Sequence, residues 1–196
     1  ETIPPPIQAA TTAGRPPPEA PWGEQLLTAA ISASVNRTVF IHRGATTTPA
    51  IAVGTYLPRQ RAVATVTGVT ILPREARIVF ANGESAEASL VSQGGGIAIY
   101  GFSDVSALPN APAANIVSFG DLKAGQTVIG ITSDSAALTG IVSKVDSAGI
   151  HTSLTGIPPG AAAVNLSGSV IGIQGLSPGL FIPTDSISAL LEPAVQ

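Results

Sequence analysis

Residues 161–174 read AAAVNLSGSVIGIQ, two short apolar runs separated by Ser167-Gly168. Aliphatic and β-branched residues fill both runs, as is typical of buried strands. A Ser-Gly pair between two such runs favours a tight turn, so this stretch predicts a β-hairpin. The pattern recurs around Asn82-Gly83, a strong signal for a two-residue hairpin turn between the apolar runs at 76–81 and 87–92. Short strands joined by glycine-containing turns therefore dominate the predicted fold.

Further runs of the same kind lie on both sides of these hairpins. Six strands are predicted before residue 103, at 38–42, 49–57, 61–66, 76–81, 87–92 and 97–100. Six more are predicted after residue 118, at 127–131, 138–145, 150–154, 161–166, 170–174 and 179–182. Apolar residues at helical spacing predict one helix over 23–34 and another over 184–191. The expected fold class is all-β, with two antiparallel six-stranded β-barrels and short N- and C-terminal helices.

The chain divides into a proline-rich start and one domain of two halves. Residues 1–22 hold seven of the 17 prolines, which favours an extended linker. Residues 23–192 form the predicted double-barrel domain. Within it, 23–102 is the first barrel, 103–118 is a connector, and 119–192 is the second barrel with the terminal helix. The absence of methionine indicates a processed or excised piece of a longer protein.

Composition argues against several classes of function. The net charge is -3 and the nine Lys and Arg residues are scattered, whereas nucleic acids and anionic membranes require a concentrated positive face. The absence of cysteine excludes disulfides, thiolate metal sites and a cysteine nucleophile. No cluster of His, Asp and Glu indicates a metal site, so neither a metal nor a cofactor is expected. No run of about 18 strongly apolar residues indicates a membrane span.

Four stretches occur in an order and spacing that point to one protein family. Gly120–Ile129 is followed by Thr-Gly-Ile-Val-Ser at 139–143, and residues 164–173 combine a strand, a tight turn and Val-Ile-Gly-Ile. Phe-Ile-Pro at 181–183 then precedes the last predicted helix. These motifs resemble the trypsin-like serine protease domain of the HtrA/Deg type, with its T-x-G-I-V-S, V-I-G-I and F-A-I-P runs. The resemblance covers roughly residues 24–192 and implies the trypsin-like fold.

The three catalytic positions of that family carry unsuitable residues here. The His position falls on Gly68 and the Asp position on Gly96. Counted back from Val164 without a gap, the Ser position falls on Pro159, and in a shortened loop the serine is deleted. Acyl transfer by this fold needs a hydroxyl, an imidazole and a carboxylate, and glycine and proline supply none of them. The resemblance therefore implies a pseudoprotease rather than an enzyme.

Other candidate sites are weaker. His42 and His151 are the two histidines, and a surface or strand-packed role is the simpler interpretation of each. His151 is the stronger candidate for a base or ligand because it precedes the nucleophile-loop region. The turn 132–135 offers hydroxyls and a carboxylate but has no imidazole nearby in sequence. The triplet at 94–96 lacks the Lys-Ser/Thr of a phosphate-binding loop and predicts a turn.

The resemblance implies a groove between the two barrels. Ile173, Gln174 and Gly175 match by position the strand that pairs with substrate in active relatives. A protein or peptide partner would add to this strand without being cut. The alternatives are a purely structural spacer subunit and a hydrolase with an unrecognised site. The proline-rich start is compatible with the expected extracytoplasmic location, periplasmic or at the cell surface, with the domain tethered through a preceding segment.

Overall fold

Two closed antiparallel barrels, each of six strands, make up the described part of the chain. The structure is a computed structural model that describes residues 22–44, 49–106, 108–109 and 115–191. The predicted linker at 1–22 lies outside the described residues, except for Trp22, where the first helix begins. The expected all-β fold of two six-stranded barrels with a helix at each end is confirmed.

The first half consists of a helix followed by six strands. Its elements are α1 (Trp22–Val35), β1 (Thr38–His42), β2 (Ala52–Leu57), β3 (Ala62–Val66), β4 (Glu75–Phe80), β5 (Ser85–Gly94) and β6 (Ile97–Phe102). The strands follow one another around the barrel in the order β1-β2-β3-β6-β5-β4. Pairing of β4 with β1 closes the barrel, so no strand edge of this sheet is left open.

The second half repeats this design and ends with a helix. A 3-10 turn at Phe119–Asp121 precedes β7 (Thr127–Ile131), β8 (Ala137–Asp146), β9 (Gly149–Thr152), β10 (Ala162–Val164), β11 (Val170–Gln174), β12 (Leu180–Pro183) and α2 (Thr184–Leu191). The barrel order is β10-β11-β12-β9-β8-β7, and pairing of β10 with β7 closes it. Neither helix of the described chain is long and apolar enough to cross a bilayer.

Each barrel encloses its own apolar core, and a third cluster joins the barrels. Tyr100 is buried in the first core and Phe181 in the second. The third cluster brings Ile99 of the first barrel together with Ile173 of the second and Ile187 of α2. Apolar burial stabilises a fold by about 25 cal/mol per Å². The two barrels are therefore held together as one unit by a shared core.

The hairpin at Asn82-Gly83 forms, but its loop has three residues rather than the expected two. The backbone N–H of Phe80 donates to the carbonyl of Glu84 at 2.9 Å, which leaves residues 81–83 in the loop. Gly83 has a positive φ of 85° and Asn82 does not, as in a type I turn closed by a glycine bulge. The hairpin predicted at residues 167–168 has the same loop length.

Candidate functional site

Gly68 and Gly96 lie side by side on the face of the first barrel that meets the second. Gly68 follows β3 and Gly96 precedes β6, and these strands are paired along their length. The backbone N–H of Thr67 donates to the carbonyl of Gly96 at 2.9 Å. A Cβ atom at Gly68 would lie 3.2 Å from Cδ1 of Leu176, and one at Gly96 would lie 4.0 Å from Cδ1 of Ile182. Both positions therefore face side chains of the second barrel.

The segment that corresponds to the nucleophile loop, residues 156–160, packs directly on the first barrel. The hydroxyl of Thr55 donates to the carbonyl of Gly160 at 2.9 Å in a buried contact. Gly160 has a φ of 91°, and a Cβ atom there would lie 2.1 Å from the carbonyl oxygen of Val53. No side chain fits at that distance. Pro159 thus immediately precedes the tightest contact between this loop and the first barrel.

Strand β3 lies next to the segments that carry the three predicted catalytic positions. Thr65 lies on this strand, three residues before Gly68, and its hydroxyl would be 2.9 Å from a Cβ atom at Gly160. The same hydroxyl donates to the carbonyl of Val53 at 2.6 Å. Gly68 and the loop that carries Pro159 therefore both lie where β3 and its flanking residues meet the second barrel.

The strand predicted to bind peptide is largely engaged within the second barrel. Ile173 and Gln174 belong to β11, which pairs with β10 on one side and β12 on the other. The N–H of Gln174 donates to the carbonyl of Ala161 at 2.8 Å, and its carbonyl accepts from the N–H of Gly160 at 2.8 Å. The backbone of Gln174 is thus fully used inside the protein. Gly175 is the last residue of the predicted segment and the first that lines the cleft.

Leu176 and Ser177, the two residues after the predicted strand, form the open part of this segment. The Leu176 side chain is 57% exposed. Within the described ranges, no group hydrogen-bonds to the backbone N–H or C=O of Leu176. Sequence reasoning stopped at Gly175 because the pairing register of β11 cannot be counted from the sequence. The sequence feature that marks this segment is an apolar residue, Leu176, among residues that favour turns: Gly175, Ser177, Pro178 and Gly179.

The side chain of Gln174 is buried inside the loop that joins β11 to β12. Its Nε2 donates to the carbonyls of Ser177 at 2.7 Å, Gly175 at 3.1 Å and Leu180 at 3.3 Å. An amide nitrogen has two hydrogens, so these three acceptors share them. The Oε1 atom is buried and has no partner among the described residues, at a cost of about 1–3 kcal/mol. The amide therefore fixes the shape of the loop that bears Leu176.

A pocket of about 220 Å³ opens beside Gly96. Its wall combines Val66 of the first barrel with Leu176, Leu180 and Ile182 of the second. The remaining lining residues are small or carry a hydroxyl, and among the described residues no charged side chain lines the pocket. The cleft thus contains an apolar cavity where the resemblance places catalytic residues.

His151 belongs to a surface ion network next to this cleft. Its Nε2 lies 3.2 Å from Oδ1 of Asp146, and Nζ of Lys144 lies 2.6 Å from Oδ2 of the same carboxylate. The hydrogen bond from Lys144, followed by that from the Ala148 N–H, lowers the pKa of Asp146 to about 2. In the described chain, no serine or threonine hydroxyl hydrogen-bonds to the His151 ring. This histidine is therefore paired with a carboxylate on the surface of the second barrel.

The remaining sequence candidates lie apart from the pocket. His42 is buried in β1 of the first barrel. The hydroxyl turn at 132–135 joins β7 to β8, and its Thr132 hydroxyl donates to Asp134. No group of three or more His, Asp or Glu side chains that could hold a metal ion occurs in the described ranges.

The fold of this chain is similar to that of a solved protease structure. No protein family model and no curated protein matches the chain. Among solved structures, it is similar to the HtrA-type protease AlgW, in a serine-to-alanine variant with a tripeptide, at a TM-score of 0.65 and 16% identity. The match covers 85% of this chain and 62% of that chain, so this chain spans less than two thirds of that protease. The two barrels and this similarity together show that the chain has the trypsin-like double-barrel fold found in an HtrA-type protease.

Proposed function

We propose that this domain binds an extended protein or peptide segment in the cleft between its barrels and does not cut it. The observation that carries the proposal is the backbone of Leu176, which no described residue pairs with, beside an apolar pocket. The positions that match the protease triad are Gly68, Gly96 and Pro159, which supply no nucleophile, base or carboxylate. Binding without hydrolysis is the activity that this set of residues supports best.

The exposed groups of the cleft suit an extended partner. A backbone N–H and C=O without partners can pair with an added strand, which is how many domains recognise extended peptides. Leu176 exposes its side chain on this edge, and the loop after Gly68 exposes Val69 by 50% and Ile71 by 83%. Hydrogen bonds and apolar contacts are therefore both available to one partner.

The packing of residues 156–160 supports the absence of hydrolysis. A side chain at Gly160, the residue after Pro159, would collide with the carbonyl of Val53, so the loop is packed tightly at this point. Pro159 also lacks the backbone N–H that an oxyanion hole requires. His151 pairs with Asp146, and among the described residues no serine or threonine hydroxyl is hydrogen-bonded to its ring, so it is not paired with a hydroxyl nucleophile there.

A purely structural spacer or assembly subunit is the second candidate. Two contacts favour it, since Gly160 closes one end of the cleft and the Gln174 amide fills the loop beside it. In this alternative Leu176 would have no partner at all. Under either candidate, we propose an extracytoplasmic location, periplasmic or at the cell surface, with the domain tethered through a preceding segment.

Peptides selected from a random phage-displayed library on the wild-type domain distinguish these candidates. Their affinities are measured by fluorescence polarisation on the wild type, Leu176→Pro and the matched control Leu176→Ala. Proline removes the N–H that has no partner in the free domain, whereas alanine keeps it. We expect Leu176→Pro to weaken binding at least tenfold and Leu176→Ala to weaken it less. Failure to select any peptide, or equal affinity for the wild type and a folded Leu176→Pro, would favour the structural candidate.

A further inference from the structure

The pocket beside Gly96 has the size and chemistry to receive one side chain of the bound segment. We propose that it accepts a single aliphatic side chain, so that the domain selects partners with an apolar residue at that position. The inference rests on the proposed function. A volume of about 220 Å³ is below the range of roughly 300–1,000 Å³ usual for small-molecule sites. One side chain, rather than a whole small ligand, matches this space.

The pocket remains open because the second barrel packs closely against Gly68 but not against Gly96. At Gly68 the missing side chain is replaced by Leu176, whose Cδ1 would be 3.2 Å from a Cβ atom there. At Gly96 the nearest atom to a Cβ would be Cδ1 of Ile182, at 4.0 Å. The second barrel therefore fills the space in front of Gly68 and leaves the space in front of Gly96.

The pocket adjoins the backbone edge that would hold the partner. Gly175, Leu176 and Ser177 line the pocket, and the backbone of Leu176 has no hydrogen-bond partner in the part of the chain that the structure describes. Side chains of an extended strand point alternately to opposite faces. A segment paired with Leu176 would consequently turn alternate side chains towards the barrels, where the pocket can receive one. The interior of the loop 175–180 is not available, because the Gln174 amide occupies it.

The lining of the pocket discriminates between side chains by charge. Val66, Leu180 and Ile182 are apolar, and the polar lining groups Thr67 and Ser177 are uncharged. A charged group moved from water into such a site without an ion partner is strongly disfavoured. An aliphatic side chain gains from the same transfer in proportion to the area that it buries. The pocket should therefore prefer leucine or valine and reject lysine and glutamate.

Titration of the ¹⁵N-labelled domain with four end-blocked peptides tests this inference, with the amide signals followed in ¹H–¹⁵N correlation spectra. The peptides are acetyl-Thr-Thr-X-Thr-Thr-amides in which X is Gly, Leu, Lys or Glu. We expect the Leu peptide to bind at least tenfold more tightly than the Gly peptide, and the Lys and Glu peptides to bind no better than Gly. The Leu peptide should shift the amide signals of Gly96, Leu176 and Ile182. Equal affinities for the Leu and Gly peptides would refute the pocket while leaving backbone binding intact, whereas no binding by any peptide would refute both.

A pair of variants in one turn provides the control. Ala148 lines the pocket from the exposed turn between β8 and β9, and Ser147 is its exposed neighbour outside the pocket. Ala148→Leu places a larger side chain in the cavity without touching either barrel core. It should reduce the affinity of the Leu peptide to that of the Gly peptide, while Ser147→Leu leaves both affinities unchanged. Tight binding of the Leu peptide to Ala148→Leu would overturn the assignment.

Discussion

The two ends of the cleft between the barrels lack side chains for opposite reasons. At the packed end, formed by residues 156–160 against β2, a Cβ atom at Gly160 would lie 2.1 Å from the carbonyl oxygen of Val53. At the open end, formed by Gly96, Leu176 and their neighbours, a pocket of about 220 Å³ remains. Glycine is required by packing at the first end, and at the second it leaves space.

This difference separates residues that hold the fold from residues available for binding. The buried hydrogen bond from Thr55 to Gly160 joins the barrels directly, so the packed end contributes to stability. The open end makes few contacts around Gly96 and exposes Leu176 instead. Natural proteins commonly trade stability for function in this way. Substitutions at the two ends should therefore differ sharply in their effect on unfolding.

The largest effect is expected for Gly160→Ala at the packed end. The new methyl group collides with main-chain atoms of Val53, and the φ of 91° is strained for any residue with a side chain. We expect the free energy of unfolding to fall by at least about 4 kcal/mol, as in the most severe single substitutions. Urea denaturation followed by circular dichroism measures the change. A loss below about 1 kcal/mol would remove the distinction between the two ends.

A smaller effect is expected for Gly96→Ala at the open end. Its φ of 82° carries the same backbone strain, but the nearest atom to the new methyl group is a side-chain carbon at 4.0 Å. The loss of unfolding free energy should be about 1–2 kcal/mol, which is the strain alone. The same urea titration compares the two variants. Losses of equal size would mean that strain, and not packing, governs both positions.

The smallest effect is expected at Asp146, in the ion network that flanks the open end. Because its pKa is lowered to about 2 from an ordinary 3.8, the carboxylate stabilises the fold fully above pH 3.8 and loses this effect as the pH falls towards 2. Carboxyl ¹³C NMR should give a midpoint near 2 in the wild type. Lys144→Met should raise the midpoint, since Lys144 is the largest cause of the shift. An ordinary midpoint in the wild type would show that the network does not form in solution.

Much of the fold followed from local sequence patterns. The strand Val170–Gln174 and the helix Thr184–Leu191 have the bounds that their apolar patterns predict. The length of the loop at Asn82-Gly83 did not follow, because the sequence pair allows two turn types and the flanking strand pairs decide between them. Local propensity thus predicted where the strands and helices lie but not the length of every loop.

The candidate site was only partly predictable. The resemblance located Gly68 and Gly96, which the structure brings side by side through the pairing of β3 with β6. The engagement of Gln174 with Ala161 and Gly160 depends on a pairing register between distant segments, which no local pattern encodes. For this reason the open edge lies at Leu176, beyond the residues that the sequence singled out. The pocket likewise depends on side chains from both barrels.

Binding without cleavage is tested most directly by mass spectrometry of a selected peptide after incubation with an equimolar amount of the domain. We expect the peptide to be recovered intact from the complex, because the cleft binds the peptide but supplies no nucleophile. Two fragments whose summed mass exceeds that of the peptide by one water would contradict it. Loss of this cleavage in His151→Ala would then identify the domain as a hydrolase.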